Sequence, residues 1–188
     1  MKTSSKKTTA DQAAASLKLD GKNSYVECPT NPAYNFAGDF TVEAWLRPSS
    51  GGTIVARTGA DPGTNDGWSL SLLESGAVQF GLWNQSRKHY AVGVTRAATP
   101  MFDDSWHHVA AVRQGGGLLL YIDGIPYDLE VSLNSTSVGV SNNLGLTIGA
   151  TSLVGGQIDR GCFNGQIDEV RLWNIALAKW QIDQGIYH

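Results

Sequence analysis

The sequence predicts an all-β fold: two antiparallel sheets packed face to face, with one short helix near the C-terminal end. Three observations support this. Apolar residues recur with period two through many short segments, 22 glycines punctuate them, and charged residues make up only 16% of the 188. A strand sends alternate side chains to opposite faces, so period-two patterning marks sheets with one buried face. Sparse charge with abundant glycine suits many strands joined by tight turns.

Each element follows in order. Residues 1–16, MKTSSKKTTADQAAAS, are small and polar and are expected to form a flexible tail, leaving 17–188 as one domain. The tail has lysines but no apolar segment, so it does not read as a secretory signal. Nowhere do eighteen consecutive apolar residues occur, and no membrane insertion is expected. On that basis the chain is expected in the cytoplasm, unless it is excised from a larger secreted or cell-surface protein. Ser16–Leu19 and Tyr25–Cys28 read as strands around the turn signal Asp20-Gly21. Phe40–Leu46 alternates strictly, with Phe40, Val42, Ala44 and Leu46 on one face and Thr41, Glu43, Trp45 and Arg47 on the other. Pro48 is expected to end that run. Ile54–Arg57 is a short strand, and a polar loop, Thr58–Gly67, follows.

Trp68–Leu73 and Ala77–Trp83 form a hairpin around Glu74-Ser75-Gly76. In its second arm Val78, Phe80 and Leu82 point one way, and Gln79, Gly81 and Trp83 the other. His89–Val94 is a further strand, and His107–Arg113 pairs with Leu118–Asp123 across Gln114-Gly115-Gly116-Gly117. Leu144–Gly149 and Gln166–Trp173 are the last strands. A helix is expected over Ala176–Gln184, with Asn174 as N-cap and Gly185 as terminator.

The net charge of −3 and pI near 5.7 give no basic footprint for a nucleic acid. Cys28 and Cys162 are too few for a Cys-built zinc ribbon or a disulfide-dense scaffold. They either pair, if the first and last strands are neighbours, or stand as separate thiols. No HExxH, GxSxG or P-loop pattern occurs. Ile167-Asp168-Glu169-Val170 puts neighbouring acids on opposite faces of a strand, which suits no acid–nucleophile pair. The chain is therefore not expected to be an enzyme.

Sugar recognition needs an aromatic face for C–H stacking and planar amides, carboxylates or guanidinium groups for hydroxyls. Trp83-Asn84-Gln85-Ser86-Arg87-Lys88-His89-Tyr90 concentrates such groups, so Trp83, Asn84, Arg87, His89 and Tyr90 are candidate ligand-binding residues. The competing reading is an ordinary polar loop with one half-buried tryptophan. A second candidate is the loop holding Asp61, Asn65 and Asp66, which offers oxygen ligands of the kind calcium prefers.

Four segments in matching order resemble a known family: Leu17-Lys-Leu-Asp-Gly21 with Tyr25-Val26; Phe40-Thr-Val-Glu-Ala-Trp-Leu-Arg-Pro48; Ser105-Trp-His-His-Val-Ala-Ala-Val-Arg113 running on to Leu120-Tyr-Ile-Asp-Gly124; and Leu146-Thr-Ile-Gly149 with Phe163-Asn-Gly-Gln-Ile-Asp-Glu-Val-Arg-Leu-Trp-Asn174. From Leu17 to about Gln184 the chain resembles LamG-like jelly-roll domains of the concanavalin A-like lectin/glucanase superfamily, cousins of laminin G and pentraxin domains. The resemblance implies a two-sheet antiparallel jelly-roll sandwich and a non-catalytic, lectin-like glycan-binding module. Its alternative implication is a protein-interaction or adhesion module, which could self-associate or bind a protein partner. A glycoside hydrolase ranks third, because the family's Glu-x-Asp-x-(x)-Glu pattern is missing.

The resemblance also implies core packing for Trp45, Trp106 and Trp173, and hydrogen bonds from His107 and His108 to a neighbouring loop. Glu43, Glu169, Arg47, Arg113 and Arg171 are expected to pair across strands. A structural calcium (Ca2+) at the junction of the first and last strands would take Asp20 and Asp168. A pentraxin-type calcium site is not expected, because the loop Ala150–Asp159 lacks the acid-rich cluster.

Overall fold

The computed structural model describes residues 16–58, 66–84, 89–96, 99–140, 142–154 and 157–187. Two antiparallel sheets form a sandwich. The six-stranded sheet runs in the order β1 (Leu17–Asp20), β15 (Asn164–Trp173), β3 (Phe40–Ser50), β8 (His107–Gln114), β9 (Gly117–Ile122) and β10 (Ile125–Tyr127). The seven-stranded sheet runs β11 (Leu129–Leu133), β7 (His89–Thr95), β6 (Val78–Asn84), β5 (Gly67–Leu72), β4 (Gly52–Thr58), β12 (Leu146–Ile148) and β2 (Val26–Cys28). β13 (Thr151–Val154) and β14 (Gln157–Arg160) form a separate two-stranded sheet tied to β4 through Thr151 and Thr53, and α1 (Lys179–Ile186) closes the chain. Among the described residues, no helix is long and apolar enough to cross a membrane.

The core is the layer between the sheets, and the alternation places it. Phe40, Val42, Ala44 and Leu46 from β3, with Val109 and Ala111 from β8, meet Trp68, Leu70 and Leu72 from β5 and Val78, Phe80 and Leu82 from β6. Four aromatic rings gather at its centre. Phe36 stacks on Phe40 with centroids 4.5 Å apart, and Trp68 and Phe80 close on Phe40 at 5.8 and 5.7 Å. Aromatic pairs at such spacings add to the area they bury.

The opposite side of β3 is also buried, because α1 lies over the six-stranded sheet. Leu177 and Ile182 pack on Ala110, Val112 and Tyr121, so the helix sits above β8 and β9. It starts later and ends later than the sequence suggested. Ala178, not Asn174, is the N-cap, and its N–H donates to Gln181 Oε1 at 2.9 Å. Gly185 lies inside the helix rather than ending it, because α1 runs on to Ile186; a β-carbon at Gly185 would stand 3.1 Å from Arg171 Nη1.

Other expectations also changed. Pro48 does not end its strand: β3 continues to Ser50, and Pro48 faces Gly165 at a register shift in β15. Ala150–Asp159, read as a loop, contains most of the β13–β14 hairpin. Strand β11 went unpredicted, although Leu129, Val131 and Leu133 alternate in plain view. Cys28 and Cys162 are separate thiols; Cys162 donates to the Lys22 carbonyl at 3.0 Å, and burial raises its pKa.

Candidate functional site

The outer face of the seven-stranded sheet follows from strand register. Trp83 pairs with Gly67 on one side and Tyr90 on the other, while Asn84 pairs with His89. Directly opposed residues of antiparallel strands point to the same face, so Trp83 and Tyr90 stand together. Both are half-buried, and His89 is exposed. Trp83 leaves the core, as its phase demanded, and folds back over Gly81. A β-carbon at Gly81 would meet Trp83 Cη2 at 2.4 Å and Cζ2 at 2.6 Å, so only glycine admits the indole there. Tyr90 is fixed from behind: its N–H donates to Asn134 Oδ1 at 2.9 Å, and its carbonyl accepts from the Asn134 N–H at 3.2 Å.

Four residues back along β6, Gln79 shares this face. Register aligns it with Ser71 on β5 and Thr53 on β4, and with Val94 on β7 opposite Glu130 on β11. A groove of about 480 Å3 opens over the first three, with Glu74, Gly161 and Cys162 on its walls. Gln79, Gly81 and Trp83 were legible as one face by alternation. Ser71 and Thr53 were not, because only strand pairing brings them alongside. The face thus carries an indole platform and, further back along β6, a polar slot lined by the Gln79 amide, the Ser71 hydroxyl and the Glu74 carboxylate, while the buried Thr53 hydroxyl bonds Thr151 Oγ1.

Not every candidate joins this site. Arg87, Asp61 and Asn65 lie outside the described residues. Asp66 stands at the rim, its carbonyl accepting from Asn142 Nδ2 at 2.7 Å. Asp20 and Asp168 do not fit a shared calcium. Asp20 faces Asn164, four residues along β15 from Asp168 and so roughly 13 Å away. Asp20 Oδ1 already accepts from the N–H groups of Lys22, Asn23 and Ser24 at 2.9–3.1 Å, which hold its carboxyl well below the usual range. Among the described residues no group of three or more His, Cys, Asp or Glu side chains is placed to hold a metal.

The rim is organised by a residue that sequence reasoning passed over. Arg57 is 1% exposed, and its hydrogen-bond acceptors among the described residues are neutral oxygens. Nη1 donates to Tyr34 O at 2.9 Å and Asn35 Oδ1 at 2.8 Å, Nη2 to Asn142 O at 2.7 Å, and Nε to Leu144 O at 3.3 Å. The Tyr34 ring lies 6.0 Å from its Cζ, and burial lowers its pKa. One side chain thus ties the 31–35 and 142–144 segments to β4.

The charges of the six-stranded sheet divide unequally. Arg171 pairs with Glu169, which sits at a β-bulge with φ of 47°, and Arg47 pairs with Asp104 at 2.8 Å. Arg113 is buried, which lowers its pKa. Glu43 faces Arg171 in register, yet its Oε1 accepts from Trp173 Nε1 at 2.6 Å. Trp45 is buried, but Trp173, expected in the core, is 41% exposed. His107 bonds Asp103 and Asp123, at 3.0 and 2.9 Å, as expected of a strand-start histidine. His108 reaches the turn after β9 through its backbone N–H, which donates to Asp123 Oδ1 at 2.8 Å, while its ring lies against Trp45 and stands 3.4 Å from Glu43 Oε2.

With this geometry in view, comparison with known proteins identifies the lineage. The family model Laminin_G_3, described as the concanavalin A-like lectin/glucanases superfamily, matches residues 20–183. No curated protein matches by sequence. Among solved structures, the binding domain of Paraclostridial Mosquitocidal Protein 1 superposes with TM-score 0.67 at 18% identity, covering 91% of this chain and 42% of that one. The chain thus spans about two fifths of that binding domain. Mouse laminin α1 domains LG4-5 give 0.62 at 18% identity, over 87% of this chain and 44% of theirs. A Ruminococcus gnavus IT-sialidase CBM40 bound to α2,3 sialyllactose gives 0.69 at 12% identity, over 91% of this chain and 96% of that one. At these identities the likeness is one of fold.

Proposed function

The chain belongs to the Laminin_G_3 family of the concanavalin A-like lectin/glucanases superfamily, and on that premise we propose that it is a non-catalytic glycan-binding module. Its ligand lies on the outer face of the seven-stranded sheet. The observation behind this reading is the half-exposed Trp83 indole resting over Gly81 beside Tyr90, on the same sheet face as the Gln79–Ser71–Thr53 groove. An indole supplies the apolar face of a sugar site, and the groove supplies groups for its hydroxyls. Likeness of fold to toxin binding domains and to a sugar-bound CBM40 supports binding without catalysis.

The test is a glycan array probed with the wild-type chain and Trp83→Ala, with and without calcium. Trp83→Ala is expected to lower the signal roughly tenfold, the effect of about 1.4 kcal/mol. A variant that binds as the wild type does would remove the platform from the site. One observation favours the adhesion reading instead: β11 is an edge strand with Val131 and Leu133 each 45% exposed. Such an edge can pair with a strand of another chain. A stable dimer by light scattering, together with silence on the array, would transfer the reading to that edge.

A further inference from the structure

A second groove lies on the opposite face of the molecule. Its volume is about 410 Å3, and it runs between β15 and α1, on the side of the six-stranded sheet that the helix leaves uncovered. Trp173 of β15 and Trp180 of α1 line it, with Glu43 at its floor and Arg171, Gln181 and Gln184 around them. That size falls within the range of small-molecule sites.

Glu43 indicates what the groove is for. The residue is 1% exposed, and its Oε2 makes no hydrogen bond among the described residues, although His108 Nε2 stands 3.4 Å away. An unsatisfied oxygen on a buried carboxylate works against stability. Its Oε1 meanwhile holds the indole N–H of Trp173, a side chain 41% exposed. The bond therefore fixes the direction of a surface ring rather than completing the core. Trp180 is 61% exposed. Gly185 keeps the helix close to this floor: a β-carbon there would stand 3.1 Å from Arg171 Nη1 and 3.6 Å from Glu43 Oε2. Glycine is a poor helix former, and its place inside α1 serves this approach.

We propose that this groove is a second saccharide site, which takes a sugar ring against Trp173 and Trp180 and makes one domain bivalent for glycans. Two indoles give the ring its apolar contacts, while two primary amides and a guanidinium line the groove for its hydroxyls, above the buried Glu43 carboxylate that orients Trp173. A cationic ligand fits less well, because Arg171 sets a positive charge beside Glu43. The existence of the site stands on residues separate from the Trp83 face; only its ligand class rests on the glycan reading of that face. Two sites on opposite faces would let a single chain bridge two glycans and gain from multivalency.

The experiment is the same glycan array, probed with the full chain carrying Trp83→Ala, Trp180→Ala, or both. Unchanged melting temperatures confirm folding, and Trp173→Phe serves as a second variant that keeps a ring but loses the N–H held by Glu43. Trp83→Ala is expected to retain binding to at least one glycan, and adding Trp180→Ala or Trp173→Phe to lower that signal roughly tenfold. Titration calorimetry of the wild type with a retained glycan is expected to give two sites per chain. The proposal falls if Trp83→Ala alone removes all binding, which would leave the Trp83 reading intact. It also falls if neither second substitution moves the retained signal. If Trp83→Ala changes nothing while Trp180→Ala abolishes binding, the groove stands and the Trp83 reading fails. A wild-type chain silent on every glycan overturns both.

Discussion

The outer faces of the two sheets begin from the same alternation and end differently. On the six-stranded sheet the outward residues Thr41, Glu43, Trp45, His108, Ala110 and Val112 are all buried, the last two directly beneath α1. On the seven-stranded sheet the outward residues Ser71, Gln79, Trp83, Tyr90 and Val92 stay half-exposed, although Thr53 and Ser69 on the same face are buried. Where this face is covered, polar groups must find partners within the protein, and Glu43 and His108 succeed only in part. Where it is open, polar groups can be satisfied by solvent, and an aromatic ring can be held in place by backbone shape alone. Period two therefore says which residues leave the core, and the covering decides what becomes of them.

Three perturbations break or sharpen that contrast. The largest effect is expected from Arg57→Met at the rim of the open sheet. The substitution takes the donor from four oxygens of the buried network and should cost about 3 kcal/mol or more. Urea denaturation measures it, and a loss below about 1 kcal/mol would mean that water replaces the guanidinium. Next, Ile182→Ala loosens the cover of the other sheet. Truncating a fully buried isoleucine should cost about 3 kcal/mol while leaving Trp83-dependent glycan binding unchanged. A fall in that binding would show that the two faces are coupled.

The smallest effect is a pH dependence centred on His107. Hydrogen bonds that His107 donates to the Asp123 and Asp103 carboxylates raise its pKa, and the bond from His107 lowers that of Asp103. A raised histidine stabilises the fold fully below its unfolded value, and the gain is lost as pH rises through its folded value. A lowered aspartate stabilises above its unfolded value, and that gain is lost as pH falls through its folded one. The cluster is therefore at full strength between about pH 4 and about pH 6.5. Wild type and His107→Gln, compared by thermal melts across pH, should differ most in that window. A difference independent of pH would assign the histidine to packing alone.

Much of this is legible in the order of the residues. The β3 alternation identifies Phe40, Val42, Ala44 and Leu46 as core, and the phase of β6 sends Trp83 outward. Trp173 departs from expectation because tryptophan is most often buried, and nothing in its neighbours reveals that Glu43 draws its N–H to the surface groove. Asp20 and Asp168 look equivalent as ligands along the chain, whereas strand register sets them four residues apart. Arg57 closes a strand in the sequence, with no sign that two distant segments would supply its acceptors.

By itself the sequence determined which side chains alternate toward the shared interior, where the turns fall, and that catalytic motifs are lacking, since these depend on local chemistry and strand geometry. Tertiary structure decided which outward face stays open, which residues of separate strands share a groove, and where a helix covers charge. Those outcomes depend on strand order and on partners far apart along the chain. A period of two names a face but not its neighbour.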